Sequence, residues 1–493
     1  MIERWVLRVV LYTLGLLRWT VAHDARAYAL LTLPAWQPFL EALGRLRARE
    51  VFLKARDECP AYGTFLAEQG YRGSRRWADV PVTTKENYVK QFPIEARCYG
   101  GRLAGRGEMI DESSGSSGLP NNWVRSAAER RDVKRLLQLN YDLIYGRRPR
   151  ILLNCFALGP WATGMNVSMS LADVGVLKSI GPDVQKLENT LKSFGPEYDY
   201  LVFGYPPFVK SFVDATRLDL SAYRLDLVVG GEGISERLRA YLRRSFRSVV
   251  SSYGASDLEI NIGIETAWTV ALRGRCAADP DLCRALFGRE TPPMIFQYNP
   301  LDYRVETLPS GEMAFTVCRL NGAAPKLRYN LKDEGGTVPF RSLRRQLAAR
   351  GIDASSLAAR HGAFPVLYVY GRSDLTVAFY GAKVYPADLE ATVLGDPTLA
   401  GRVRSFQVSS HEDEHANRSL RVALELAPGA ELALAPGELA SIFYRGLAAS
   451  NQDFREVTRM FPPSAIEVRI YPCGAGPFEG ADIRVKQKYI AGS

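Results

Sequence analysis

Between residues 113 and 120 the chain reads Ser113-Ser114-Gly115-Ser116-Ser117-Gly118-Leu119-Pro120. Glycines remove Cβ obstruction and permit positive φ, so backbone N–H groups and serine hydroxyls can close on phosphate oxygens. No Gly-Lys-Ser/Thr closes the loop, so it is not a Walker motif, and a flexible Gly/Ser linker has the same composition. The flanks favour the phosphate cradle: acidic Glu112 precedes the loop and helix-forming residues from Ala127 follow it, as in a folded domain. Other chemistry-bearing segments stand further along, at Gly231-Glu232-Gly233, at Tyr253-Gly254-Ala255-Ser256-Asp257, at Leu327 to Asp333 and at Gly371-Arg372-Ser373-Asp374. Four histidines (23, 361, 411, 415) form no pattern with a Ser or Cys that suits nucleophilic catalysis.

The elements that must hold these segments alternate. Arg150 to Phe156, Gly175 to Ile180, Tyr198 to Gly204, Leu225 to Gly231 and Ser248 to Tyr253 read as buried strands. Ala127 to Tyr145, Val184 to Phe194, Pro207 to Ala215 and Ser235 to Phe246 read as helices between them. Such alternation predicts an α/β domain with a largely parallel sheet, whose ligands gather at the carboxyl ends of strands. Residues 264 to 300, rich in Gly, Pro and mixed charge, read as an excursion from that sheet, followed by strands at Glu312 to Arg319 and Lys326 to Tyr329. After Gly371 come short strands (Val403 to Val408, Leu420 to Leu426, Ile466 to Tyr471) and helices near Pro386 to Leu394 and Pro436 to Ser450. The division is a large domain over 1–370, helical through 1–80, and a small α+β domain over 371–493.

The 493 residues exceed one ordinary core, and 63 Lys plus Arg against 53 Asp plus Glu leave a net charge of +10. The basic residues are scattered and lack the aromatic-basic pattern of nucleic-acid binding, so the excess suits anionic small molecules or a solvated surface. Seven cysteines, an odd number with no CxxC pair, point to a reducing, cytoplasmic setting. Cys276 and Cys283 are the spacing to test for a metal, although no nearby histidine completes a tetrahedral set. The apolar run Trp5 to Leu17 is broken by Arg8 and is too short to span a bilayer; an amphipathic helix packed on the body is the first reading, weak membrane-surface contact through residues 1–20 the second.

Taken in order, these motifs resemble the adenylate-forming superfamily of acyl-CoA synthetases, in the branch of phenylacetate-CoA ligases and coenzyme F390 synthetase. The resemblance runs over roughly residues 80 to 490 and rests on the order of the motifs more than on any one of them. It implies a large adenylate-forming domain with mostly parallel sheets and a small C-terminal lid. Ser113, Ser114, Gly115, Ser116, Ser117 and Gly118 would hold ATP phosphates, Gly231, Glu232 and Gly233 would lie beside the nucleotide, and Tyr253 would pack on adenine among Ser252, Gly254, Ala255 and Ser256. Asp257 stands where the family has a magnesium-binding glutamate. Gly311 to Thr316 is similar to the family's Gly-Glu-Leu-Val-Phe-Thr strand. Leu327 to Asp333 is similar to Ile-Arg-Tyr-Arg-Thr-Arg-Asp, and the implied role of Asp333 is to accept both ribose hydroxyl protons, which the two oxygens of a carboxylate suit. Arg372 would meet the nucleotide, Asp374 would be the hinge of the small domain, and Gly381 would line the thiol's approach.

The implied activity is attack of a carboxylate on the α-phosphorus of Mg-ATP, then transfer of the acyl group from acyl-AMP to coenzyme A. An amine or a carrier-protein thiol as acceptor, or a non-catalytic protein on a degenerate ligase fold, are the alternatives. The last is raised by Glu479-Gly480-Ala481-Asp482-Ile483-Arg484-Val485, where alanine occupies the position of the family's adenylation lysine. Lys486 and Lys488 are the nearby replacements, with a solvated basic tail the plainer reading. Phe156, Trp161 and Tyr205 are candidates to line the acyl pocket, with Gly164 and Gly204 giving room, and an aromatic acid is the expected substrate. Expected partners are that acid, ATP and CoA, without nucleic acid, and a homodimer is a further reading.

Overall fold

The computed structural model describes residues 25–103, 105–113, 121–159, 161–358, 362–373 and 376–479. The expectations for Ser114, Gly115, Ser116, Ser117, Gly118, Asp374, Ala481, Lys486, Lys488 and the apolar N-terminal run lie outside these residues.

Among the described residues there are eighteen strands. The first ten are β1 (Met109–Ser113), β2 (Asn121–Arg125), β3 (Ile151–Asn154), β4 (Val176–Ser179), β5 (Asp199–Gly204), β6 (Arg224–Gly230), β7 (Ser248–Tyr253), β8 (Gly263–Ile264), β9 (Met294–Tyr298) and β10 (Tyr303–Thr307). The remainder are β11 (Glu312–Val317), β12 (Tyr329–Val338), β13 (Val366–Arg372), β14 (Val377–Phe379), β15 (Ala382–Val384), β16 (Val403–Glu412), β17 (Arg418–Leu426) and β18 (Ile466–Tyr471). Eleven of them form one sheet in the order β10-β11-β12-β13-β9-β8-β7-β6-β5-β3-β4. The architecture is α/β, with a small α+β domain after it.

The run β4-β3-β5-β6-β7 is parallel throughout. It is built from apolar segments: all four residues of β3 are buried, as are six of seven in β6. Strands buried on both faces need helical crossovers, and the sequence supplies them with defined ends. Ser126 caps Ala127–Tyr145 in a reciprocal box with Glu129, and Asp183 caps Val184–Phe194, which stops at Gly195. From β7 to β10 the remaining pairings are antiparallel, because the connections there include hairpins too short for a crossover.

Residues 264 to 300 are no excursion. They hold two short helices, Ala267–Ala278 under a Thr266 capping box and Pro280–Phe287 with an Asp279 cap and a left-handed Gly288 end. They also hold β9, which sits in the middle of the sheet, flanked by β8 and β13. Capping residues, Pro at the first helical position and a terminal Gly are loop-like in composition, which is why the stretch reads as irregular. Cys276 and Cys283 face each other inside this unit's core beside Trp268 and Phe340. Burial pushes the Cys276 thiol up to about 12, and no cluster of three metal-ligating side chains exists among the described residues.

Beyond β13, a hairpin (β14, β15) leads into a three-stranded sheet, with β16 antiparallel and β18 parallel to β17. This part has its own core, centred on Phe379, Phe406, Phe443, Phe454 and Phe461. The seven cysteines are unbonded and six of them are buried. No helix among the described residues is long and apolar enough to cross a membrane.

Candidate active site

The carboxyl ends of β6 and β7, the turn before Asp333 and the β13–β15 connection converge on one cleft. Its larger cavity, about 730 Å³, is lined by Gly231, Glu232, Gly233, Ser252, Tyr253, Gly254, Ala255, Asp333 and Arg372. That is a volume proper to a nucleotide-sized ligand. The Tyr253 hydroxyl donates to Asp333 Oδ2 at 2.5 Å, and Arg372 lies 3.9 Å from the other carboxylate oxygen. Burial and the neighbouring Asp333 carboxylate hold the Tyr253 phenol well above its usual range, so it stays a donor. Arg328 and Lys332, on either side of Tyr329, adopt positive φ of 45° and 68°, and Tyr380 in the small domain adopts 53°. Non-glycine residues seldom hold this conformation, and here all three lie in segments that shape the cleft.

A smaller cavity, about 150 Å³, opens from the same strand ends. Phe156, Trp161 and Tyr205 line it, with Tyr141, Val167, Phe203 and Ser256. Phe156 meets Tyr205 edge to face at 5.1 Å. Gly164 is not part of this lining. A Cβ there would stand 2.0 Å from the Ala157 carbonyl oxygen, so the glycine lets helix Ala162–Leu171 pack on the preceding turn instead of making room for substrate. Gly204 is likewise packed against Val209 and Phe208. Gly231 and Gly381, one from each domain, approach the Tyr205 ring: a Cβ would come within 2.7 Å and 2.6 Å of it.

Of the phosphate loop only Ser113 is described, at the end of β1, where it pairs with Asn121 at the start of β2. The hairpin register holds the two ends of the loop opposite each other. Asp257, the expected magnesium ligand, is buried just behind the cleft. Its carboxylate accepts from the Tyr329 hydroxyl at 2.9 Å and lies 3.6 Å from the Lys85 ammonium, and it lines neither cavity. Both contacts fall on Oδ2, while Oδ1 is buried without a hydrogen-bond partner among the described residues; the carboxylate's reach is one methylene shorter than glutamate's. Lys85 is brought there by a bridge between Thr83 and Tyr329 and by the Thr84 capping box.

Beneath the Tyr253–Asp257 turn lies a fully buried ionic network. Arg125, at the end of β2, binds Asp111 at 3.0 Å, the Ser256 carbonyl at 2.5 Å and the Leu258 carbonyl. Glu129, 3.4 Å from Arg125, also accepts from Lys326 at 2.9 Å. Burial alone would raise the Glu129 carboxyl, yet Lys326 and Arg125 hold it down at about 2. Arg319 continues the network to Glu259 at 2.7 Å and Asp302 at 3.1 Å.

The small domain closes over the cleft through charged contacts. Arg418 lies 3.0 Å from Glu232, the Gly381 N–H points at the same carboxylate at 3.4 Å, and Lys210 donates to Asn417 at 2.6 Å. Desolvation raises the Glu232 carboxyl, with Arg418 opposing.

No family model and no curated protein matches the sequence. Solved structures do. A 2-hydroxyisobutyryl-CoA ligase in complex with 2-HIB-AMP and CoA, in the thioesterification state, superposes with a TM-score of 0.63 over 91% of this chain and 88% of that one, at 13% identity. The chain has the adenylate-forming ligase fold. Against the open conformation of that enzyme with 2-HIB-AMP and CoA the TM-score is 0.52, at 13% identity over 92% of this chain and 90% of that one. Against its postadenylation state it is also 0.52, at 12% identity over 93% and 88%.

Three residues of the ligase fold escape the sequence reading. Lys85 and Arg125 stand far from the motifs they serve, and only the preceding Thr84 cap and the position of Arg125 just after the Ser/Gly loop are local signals. Lys383, within the Tyr380 to Pro386 segment, lines both cavities.

Proposed function

We propose that the protein is an ATP-dependent acid ligase that activates a carboxylic acid as acyl-AMP and passes the acyl group to coenzyme A. The observation that carries this reading is the pair of adjoining cavities at the same strand ends: one holds the Tyr253–Asp333 pair and Arg372, the other is walled by Phe156, Trp161 and Tyr205. In the first half-reaction a carboxylate oxygen of the acid attacks the α-phosphorus and pyrophosphate leaves. In the second a thiol sulfur attacks the acyl carbon and AMP leaves. Asp333 binds the ribose hydroxyls, Tyr253 packs on the adenine, Arg372 meets the nucleotide, and the loop at Ser113 to Gly118 holds phosphates. Magnesium would enter with ATP and neutralise charge on its phosphates, and Asp257, with Oδ1 lacking a hydrogen-bond partner among the described residues, is the residue that would hold it.

The size of the apolar cavity supports an acid with one ring or a short branched chain, since about 150 Å³ of apolar space accepts benzene. Phe156, Trp161 and Tyr205 favour the aromatic ring. A third cavity of about 530 Å³, lined by Phe208 and by the ion pairs Lys186–Asp183 and Arg459–Glu456, meets the acyl cavity at Trp161 and offers the acceptor an approach. The likeness to a ligase in complex with CoA supports coenzyme A as the acceptor. Ala481 in place of the family lysine supports the second reading, a binding protein on a ligase fold.

Pyrophosphate exchange into ATP, screened over aromatic, branched and long-chain acids, separates the two. Exchange with a compact aromatic acid, followed by thiol loss when CoA is added, is the expected result. No exchange with any acid, together with no ATP uptake by calorimetry, removes the ligase reading.

A further inference from the structure

Five residues line both cavities: Gly231, Ser252, Gly254, Ala255 and Lys383. Four are small and uncharged, so Lys383 is the single charged side chain common to the two walls. It stands on β15 of the small-domain hairpin, half-buried, with its backbone carbonyl fixed by the Asn451 side-chain amide at 2.8 Å. Among the described residues its ammonium has no hydrogen-bond or ion-pair partner. A half-buried lysine in a cleft wall often pairs with a carboxylate, and this side chain instead projects to the neck where an acyl group in one cavity would join a nucleotide in the other.

We propose that Lys383 is the catalytic cation of the acyl-transfer step, set at the junction between acyl carbon and α-phosphate when the small domain is closed as it is here. The inference rests on the ligase reading given above and assigns one of its steps. In that step the acceptor sulfur bonds to the acyl carbon, the carbon–oxygen bond to AMP breaks, and the electron pair leaves on the AMP phosphate. The thiol proton is released to solvent. Negative charge therefore grows on the phosphate oxygen at the neck, where a fixed ammonium in a water-poor site stabilises it most. The surroundings sharpen the preference. Burial, then Arg372, with Lys85 adding to them, lowers the Lys383 ammonium from its ordinary value, while Asp257 and Asp333 oppose. A cation destabilised by burial and by neighbouring cations gains the most when an anion appears beside it. Lys383 reaches the neck from the lid, so it acts only in the arrangement that brings Gly381 onto Tyr205.

The test compares the full-length wild type with Lys383→Met and Lys383→Arg, using the acid that gives pyrophosphate exchange. Acyl-AMP is formed on the enzyme and its single-turnover breakdown is followed with CoA and, separately, with hydroxylamine as a small nucleophile. Lys383→Met should slow breakdown by about 10²–10³-fold, at least about tenfold more than it slows exchange, and Lys383→Arg should recover part of the rate. Breakdown by Lys383→Met within about threefold of wild type, or an equal loss in both half-reactions, overturns the assignment. So does a wild type that makes acyl-AMP but speeds its loss with neither nucleophile. A wild type without exchange for any acid fails earlier and differently: it removes the ligase reading before Lys383 is altered.

Discussion

Asp333 shows how one carboxylate is kept ready for a ligand. Its Oδ2 accepts from Tyr253 at 2.5 Å and Arg372 faces the other oxygen at 3.9 Å, so the group is oriented within the cleft. Asp333→Ala should raise the ATP dissociation constant by about 10–100-fold and leave that of the acid within about threefold, as measured by titration calorimetry. Equal weakening of both would contradict the ribose role. Arg125 acts in the opposite manner, through the fold. Its removal would leave Asp111 and Glu129 as buried carboxylates short of a cation and the Ser256 and Leu258 carbonyls short of a donor. Arg125→Met should destabilise the large domain by about 3–5 kcal/mol in urea unfolding, since breaking one side of a buried ionic set strands the other.

At the scale of elements, the lid hairpin and the β1–β2 hairpin carry the site. Gly381 has a φ of 86°, and a Cβ there would lie 2.6 Å from the Tyr205 ring. Gly381→Ala should therefore oppose closure by about 1–2 kcal/mol of backbone strain in addition to the clash. Under the proposed ligase reading, with a lid that moves between the two half-reactions, acyl transfer should slow by at least about tenfold while pyrophosphate exchange is largely kept. The β1–β2 hairpin is anchored by Glu129, whose carboxyl is held at about 2 by Lys326 and Arg125 against burial. A carboxyl depressed in the folded state contributes stability that is complete above its ordinary value, near 4.5, and lost as the pH falls through about 2. Unfolding free energy should thus drop by on the order of 3 kcal/mol between those two pH values, and Glu129→Gln should flatten that slope. An unchanged slope in the variant would show that other carboxylates govern acid sensitivity.

For the whole molecule the question is what sets the lid. Arg418 of the lid and Glu232 of the large domain are paired at 3.0 Å with both side chains largely out of solvent. Arg418→Ala leaves Glu232 buried with the Gly381 N–H alone, at a cost of about 3–5 kcal/mol that opening would relieve. Small-angle scattering should show an expanded, more open population in the variant. An unchanged radius of gyration would mean that packing around Tyr205, and not this pair, holds the domains together.

Much of the fold was legible because its signals are local. The helices Ala127–Tyr145 and Val184–Phe194 and the buried strands β5 and β7 follow from periodicity and caps within a few residues. The order of the motifs likewise pointed to the cleft lined by Tyr253, Asp333 and Arg372. What chain order does not carry is which distant charges meet. Lys85 beside Asp257, Arg125 under Ser256 and Lys383 at the neck of two cavities are long-range encounters, and each depends on the burial that a packed interior alone creates. Gly164 and the stretch 264–300 make the same point in reverse: a small residue or a loop-like composition has several meanings, and only neighbours 2–3 Å away choose among them. Local sequence determined the elements and marked the segments that meet at the cleft. The tertiary structure decided the electrostatics, because ionic interactions reach across the fold and gain strength where water is excluded.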